Sequence, residues 1–274
     1  VTATEQARGR THGAATVGDP PWRAVAGREL RDLWVTGRAL PLMLAFTVLL
    51  SLTSYLVATN EELNFLEQRE SVSLTLQVAV AVGGLLALLG AADSVSGERE
   101  RGTLESLLLT PVSRRALVAG KGIAALSLWA GAYALAAPYV WYLARGVDVA
   151  AAALGAGLLV GTLLALFLVG LGLAVSCLAQ SNRMSLSVTL FVLLALFAPT
   201  QMPSSAQNGW FGELLLRVDP STAGLRVLGK VVIDGHTLGE ELDWLVGPAL
   251  AAVLACAAAY VVAGRLRLGA GDSS

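Results

Sequence analysis

Charge is scarce in this sequence. Only 14% of its 274 residues are Asp, Glu, Lys or Arg, against about a quarter in ordinary soluble domains. The net charge of −1 excludes bulk electrostatic attraction to nucleic acid. Histidine is almost missing: His12 lies near the start and His236 far along the chain, so no His-Glu-x-x-His zinc helix can form. The two cysteines, Cys177 and Cys256, both sit inside apolar runs, without the spacing of a disulfide framework or a metal site. There is no Gly-x-Ser-x-Gly nucleophile elbow and no pair of aspartates within an apolar run, which argues against an intramembrane enzyme. Gly224-Leu-Arg-Val-Leu-Gly-Lys230 opens like a phosphate-binding loop, but Val231 stands where the magnesium-binding Ser or Thr belongs, and no βαβ pattern surrounds it. No nucleotide site is expected in this chain.

Apolar runs are abundant: 55% of the residues are hydrophobic. Segments of about 20 apolar residues recur, the length that crosses a bilayer. The expected fold is all-α: an integral membrane six-helix bundle with an N-terminal amphipathic interfacial helix, a short cytoplasmic helix, and short external re-entrant helices before the last span. The spans are expected at about 39–58, 72–92, 116–143, 149–178, 184–202 and 242–263. Residues 1–21 read as a disordered cytoplasmic tail and 268–274 as a second tail, with one transmembrane domain over 22–267. The start of the chain carries Arg8, Arg10 and Asp19 and does not read as a secretory signal, so the first span is expected to direct its own insertion. Gly157-x-x-x-Gly161 permits close helix approach, either within the chain or at a dimer seam.

From Trp22 to Arg38 the apolar residues fall at helical spacing: Ala26, Leu30, Leu33, Trp34 and Gly37. Arg23, Arg28, Arg31 and Asp32 mostly avoid that stripe. A basic amphipathic helix with tryptophans reads as interfacial; the alternative is an extended, solvated start of the first span. Between Pro203 and Glu241 two short apolar pieces flank Asp219-Pro220-Ser221, and neither is long enough to cross a bilayer.

With six spans, fourteen Lys and Arg residues fall on the side of the termini and five on the other. Positive charge marks the cytoplasmic side, so both termini are expected inside, in a multi-pass protein of the cell membrane. The span centres carry no ionisable residue. Such residues are costly in a bilayer and are kept there for function, so their absence argues against proton or sodium coupling. Energy is expected to arrive mechanically, through a cytoplasmic contact.

The place for that contact is the charge-dense island Ala92–Lys121, ADSVSGERERGTLESLLLTPVSRRALVAGK. Charges come first, then Gly102 and a candidate N-cap, Thr103, then a stubby amphipathic run closed by Pro111. Gly97, Glu98, Arg99, Gly102, Thr103, Leu104, Leu107, Leu108, Pro111, Val112, Ser113, Arg114, Gly120 and Lys121 stand where the cytoplasmic segment of ABC-2 type ABC transporter permeases places G-E-[RK]-x-x-G-T-L-x-x-L-L-x-x-P-[VI]-[ST]-R and a following Gly-Lys. The chain resembles that family, and its layout is similar to the stand-alone permeases of gliding-motility and nitrous-oxide-reductase-maturation type.

The resemblance implies the transmembrane subunit of an ATP-binding cassette exporter. It implies a coupling helix over Glu98–Pro111 that docks on a separate ABC ATPase. Glu98, Arg99 and Arg101 would make charged contacts, Leu104, Leu107 and Leu108 would pack, and Arg114–Lys121 would pass motion to the third span. In that family an amphipathic connecting helix, here Trp22, Arg28, Leu30, Arg31, Leu33 and Trp34, also touches the ATPase. No cofactor is expected on this chain; ATP and Mg belong to the partner. Other expected partners are a second permease copy, identical or homologous, and membrane lipid. The rival reading is a non-transporting membrane anchor or sensor that uses the same ATPase contact.

Overall fold

The computed structural model describes residues 21–59, 68–109, 112–198 and 217–266, and among these the fold is all-helical. In chain order the elements are α1 (Pro21–Val35), α2 (Ala39–Thr59), α3 (Gln68–Glu100), α4 (Leu104–Leu108), α5 (Arg114–Leu143), α6 (Ala150–Leu178), α7 (Asn182–Phe197), α8 (Pro220–Gly229), a π-helical turn (Lys230–Asp234) and α9 (Leu242–Ala263). Expectations for residues 1–20, for Pro111, for Trp210, Phe211 and Leu214–Leu216, and for 268–274 fall outside the described residues.

Among the described residues five helices, α2, α3, α5, α6 and α9, are long and apolar enough to cross a membrane. α7 has 16 residues, short of a full crossing; its expected continuation over 199–202 lies outside the described residues. The clearest difference from the sequence reading is α3. It does not stop near Ala92 but runs on to Glu100, carrying the first charges of the island on a helix. The Gly224–Lys230 string is also helical, in α8 and the first residue of the π-helical turn, not a phosphate loop.

Local chemistry sets the ends of these helices. Ser113 and Ser181 accept from the backbone N–H of Ala116 and Met184, each at 3.2 Å, capping α5 and α7. Asp219 accepts from Ser221 and Thr222 with Pro220 in the first turn of α8. Such caps are each worth about 1 kcal/mol. α3 ends in a Schellman turn: Gly102 adopts φ +72°, its N–H reaches Arg99 O at 3.1 Å, and Thr103 N–H reaches Glu98 O at 3.0 Å. Only glycine takes this left-handed position without steric cost. The turn sets α4 at the end of α3.

α3 and α6 are the centre of the bundle. In their most apolar windows 61% and 56% of residues are buried, against 17% for α2 and 28% for α9. The outer faces of α2 and α9 show Leu44, Val48, Leu52, Val246, Leu250 and Val253 to the surroundings. That inverted pattern suits hydrocarbon, in which apolar surface gains nothing by being hidden. The small residues are therefore spent inside the chain. A Cβ on Gly161 would lie 2.2 Å from the ring of buried Trp129 on α5, and one on Gly170 would meet the α9 backbone at 2.7 Å. The Gly157–Gly161 motif thus seats neighbouring helices of the same chain.

α8 and the π-helical turn pack into the bundle with Val227, Leu228, Val231 and Val232 buried. At the approach to α9, buried Glu241 accepts from Lys230 Nζ at 3.1 Å and meets His236 Nδ1 at 2.8 Å. Burial pushes the Glu241 carboxyl up, but the hydrogen bonds and charges of His236 and Lys230 outweigh it and hold the group below the ordinary carboxylate range.

Two predictions follow from this packing. Gly161→Ala should lower the detergent-solubilised melting temperature, with a cost of about 1–3 kcal/mol for overpacking. Gly155→Ala should leave it unchanged or raise it, because nothing lies within 4 Å of a Cβ there. For Glu241, a depressed folded-state pKa means stability that is present above the unfolded carboxylate value and lost as pH falls through the folded one. The melting-temperature gap between wild type and Glu241→Gln should be open at neutral pH and close as the pH drops below ~4.

Candidate functional site

The last nine residues of α3 carry a dense set of polar contacts that reach several parts of the bundle. Asp93 accepts from Arg38 Nη2 at 2.8 Å, just before α2, and from Asn182 Nδ2 at 2.8 Å, in α7. Arg101 Nη2 lies 3.6 Å from the same carboxylate. Glu98 Oε1 accepts from Lys121 Nζ of α5 at 2.7 Å, and that same ammonium donates to Glu29 Oε1 of α1 at 2.9 Å. Arg99 and Glu100, adjacent and opposite in charge, address the two ends of the α6–α7 turn. Arg99 donates to the carbonyls of Ala179 and Cys177 at the end of α6, while Glu100 Oε2 accepts from the N–H of Asn182 at 3.0 Å. Each sign suits its helix end, cation at the C-terminus and anion at the N-terminus.

Behind this layer is a second one made of serines. Ser176 Oγ on α6 accepts from the N–H groups of Val95 and Ser96 at 3.1 and 2.9 Å. Ser185 Oγ on α7 donates to Ala92 O at 2.8 Å, as does Ser96 Oγ at 2.7 Å. The polar end of α3 is thus held through its backbone as well as its side chains.

Lys121 is the most enclosed charge in this region, its side chain 1% exposed. Lys121 closes the charged island in sequence, and in the fold it is buried and answered by two carboxylates. Glu98 is also largely enclosed, and its second oxygen, Oε2, is buried with no hydrogen-bond partner.

The coupling residues named from sequence divide into two groups. Glu98, Arg99 and Lys121 turn inward and tie α3 to α1, α5 and α6. Leu104 is 5% exposed and packs into the main apolar core of the chain, so in this conformation it is not free to touch another protein. Arg101, Gly102 and Thr103 are exposed, as are Glu105, Ser106 and Leu109 on and after α4, with Leu109 77% exposed. Arg114 is exposed at the first turn of α5. The backbones of Leu107 and Leu108 complete α4, and their side chains, like Pro111, lie outside the described residues.

α1 is amphipathic as its spacing predicts. Ala26 is buried, Leu30, Leu33 and Trp34 are half-buried, and Trp22, Arg28 and Arg31 are exposed. Trp34 Nε1 donates to Ser127 Oγ at 2.9 Å, pinning α1 to α5. Sequence reasoning missed Glu29, Arg38 and Asn182. For Glu29 a signal was present: three residues after Ala26 and four before Leu33, it breaks the apolar stripe with a charge. Asn182 carries no such mark, since nothing local distinguishes it from any polar turn residue.

Around this cluster, residues of α1, α2, α3, α5 and α7 line a half-open cavity of about 570 Å3. Among the described residues no group of three or more His, Cys, Asp or Glu side chains is arranged to hold a metal ion.

Removing the shared ammonium should be costly. Lys121→Met would leave the partly buried Glu29 and Glu98 side by side without their cation. A loss of about 3–5 kcal/mol is expected, the usual cost of breaking a buried pair from one side. Thermal unfolding in detergent should show it, together with earlier proteolytic release of α1.

The same residues lie within a match to a known family. Residues 23–209 match the family described as ABC-2 family transporter protein, a stretch that takes in all but the first two residues of α1, the helices α2 through α7 and the whole polar cluster. No curated protein matches the chain. That match spans well over half of the 274 residues and agrees with a bundle that is all-helical, with five long apolar helices, among the described residues. The chain belongs to the ABC-2 transporter family, as a multi-pass membrane permease component of an ABC transporter.

Proposed function

We propose that this chain is the transmembrane subunit of an exporter in the cell membrane, driven by ATP hydrolysis on a separate ABC ATPase that binds the ATP and Mg. The end of the bundle carrying α4 faces the cytoplasm, and both termini lie on that side. α7 makes a sixth crossing with the residues that follow it, and two permease copies form the pathway between them.

The observation that carries this reading is the junction of α3 and α4. The corner that exposes Arg101, Glu105, Ser106 and Leu109 stands on a helix end joined by hydrogen bonds and ion pairs to α5, α6, α7 and Arg38 just before α2, and through Lys121 to α1. A push on that corner reaches every one of these helices through contacts of 3.2 Å or less. In this reading the docking face is Arg101, Glu105, Ser106 and Leu109. Glu98 and Lys121 act behind it, carrying displacement into α5 and α1.

The test separates docking from transmission. Glu105→Arg with Leu109→Asp should abolish co-purification of the ATPase while the permease still inserts and melts normally. Burying a leucine contributes on the order of 1.5–3 kcal/mol, so its loss alone weakens the complex about tenfold or more. Glu98→Gln should keep the complex but uncouple ATP hydrolysis from flux in proteoliposomes. Wild-type pull-down by the double variant would remove the docking assignment. ATPase docking with no ATP-dependent flux for any cargo tried would favour the anchor or sensor reading.

A further inference from the structure

The cavity beneath α1 has a composition that docking and transmission do not explain. One wall is apolar, with Leu42, Leu89, Leu128 and Leu186. The floor is charged, and its charges are sorted. On one side Glu29 and Glu98 share the single ammonium of Lys121, at 2.9 and 2.7 Å, which leaves one negative charge in surplus. On the other side Arg38 and Arg101 share the single carboxylate of Asp93, at 2.8 and 3.6 Å, which leaves one positive charge in surplus. Asp32, also in the lining, is answered by Arg28 at 3.8 Å.

The two surpluses are open in different ways. On the acid side the carboxylate with surface to offer is Glu29, 21% exposed in the cavity lining, and its oxygens accept an N–H group better than a bare positive charge. Arg38 and Arg101 have more than half of their side-chain surface exposed. Their planar guanidinium forks, five donors each, match the oxygens of a phosphate. The charged floor lies at the α4 end of the helices. Leu89 sits one turn further into α3 than Asp93, and Leu128 two turns further into α5 than Lys121. Head chemistry and chain chemistry therefore follow one another along the cavity, in the order they take at a membrane surface.

We propose that this cavity binds a phospholipid with a small zwitterionic head, a primary ammonium joined to a phosphate. The ammonium answers the Glu29–Glu98 side, the phosphate answers the Arg38–Arg101 side, and a hydrocarbon chain follows the leucine wall. A volume of about 570 Å3 is in the usual range of small-molecule sites. Choline heads offer no N–H to Glu29, and glycerol heads offer no cation.

The proposal can be tested by native mass spectrometry of the full chain released from vesicles holding equal parts phosphatidylethanolamine, phosphatidylcholine and phosphatidylglycerol. The bound lipid should be phosphatidylethanolamine, enriched about tenfold, the ratio supported by one charge-assisted hydrogen bond. Leu186→Trp, which fills the cavity, and Arg38→Gln, which removes the phosphate contact, should each abolish that enrichment. Leu250→Trp, on the exposed face of α9, should retain it. Equal retention of the three lipids by the wild-type chain would overturn the proposal even if no variant folds. So would undiminished enrichment in a well-folded Leu186→Trp. Soluble O-phosphoethanolamine, which has the head without the chains, should fail to displace the lipid. Displacement would assign the site to a soluble zwitterion and overturn the lipid.

Discussion

One ammonium decides how the polar end of this bundle is assembled. Lys121 lies almost fully enclosed between carboxylates from two other helices. Ionised groups taken out of water cost several kcal/mol each, and the cost is recovered only where geometry and hydrogen bonding are good. α1 and the end of α3 must both be in place for Lys121 to be tolerable. The arrangement is therefore conditional: each of the three helices supplies something the other two need. Hydrophobic burial is a weak source of such a condition in the spanning part of the bundle, where the surrounding lipid is as apolar as a leucine side chain.

Away from that end, the bundle is held by shape. α6 is bare of bulk where it crosses α5 and α9, so aromatic or backbone atoms come within contact distance of its glycines. α2 and α9 stand at the edge with most of their apolar surface turned outward. The protein thus has two regimes. In the apolar middle, close packing and dispersion favour contact. At the α4 end, charges and serine hydroxyls fix the register. A displacement applied at the charged end meets directional bonds first and packed, nearly incompressible contacts after them.

Much of this was legible in the sequence. The long helices follow from apolar run length alone, and the starts at Ala39, near Arg114 and near Leu242 match the observed helices closely. The amphipathic stripe of α1 was readable from spacing, and the family from the island after α3. What escaped has a common physical cause. Spacing reports which face of a helix is apolar, but not which charge across the bundle answers which. Glu98 and Arg99 look like exposed loop charges in sequence, because their neighbours are charged and a glycine follows. They are enclosed because the α6–α7 turn and the start of α5 come up against them, contacts made by residues 78 to 80 and 23 positions away. Leu104 is similar. An apolar residue on a short surface helix reads as a docking residue, but the Schellman turn at Gly102 swings it back into the chain's own core.

The order of residues along the chain adds a consequence for synthesis. Glu29 and Glu98 precede Lys121, and chains are made and inserted from the N-terminus at about 5–20 residues per second. Both carboxylates have therefore emerged before the lysine does. When α5 enters the membrane its ammonium meets acceptors already waiting and does not have to spend seconds unpaired near hydrocarbon. With the order reversed, a naked lysine would have to be held at the interface, or screened by an insertion factor, until its acids arrived. The order leaves the two carboxylates to wait for their partner, the groups that keep more contact with water in the fold, and not the almost fully enclosed lysine.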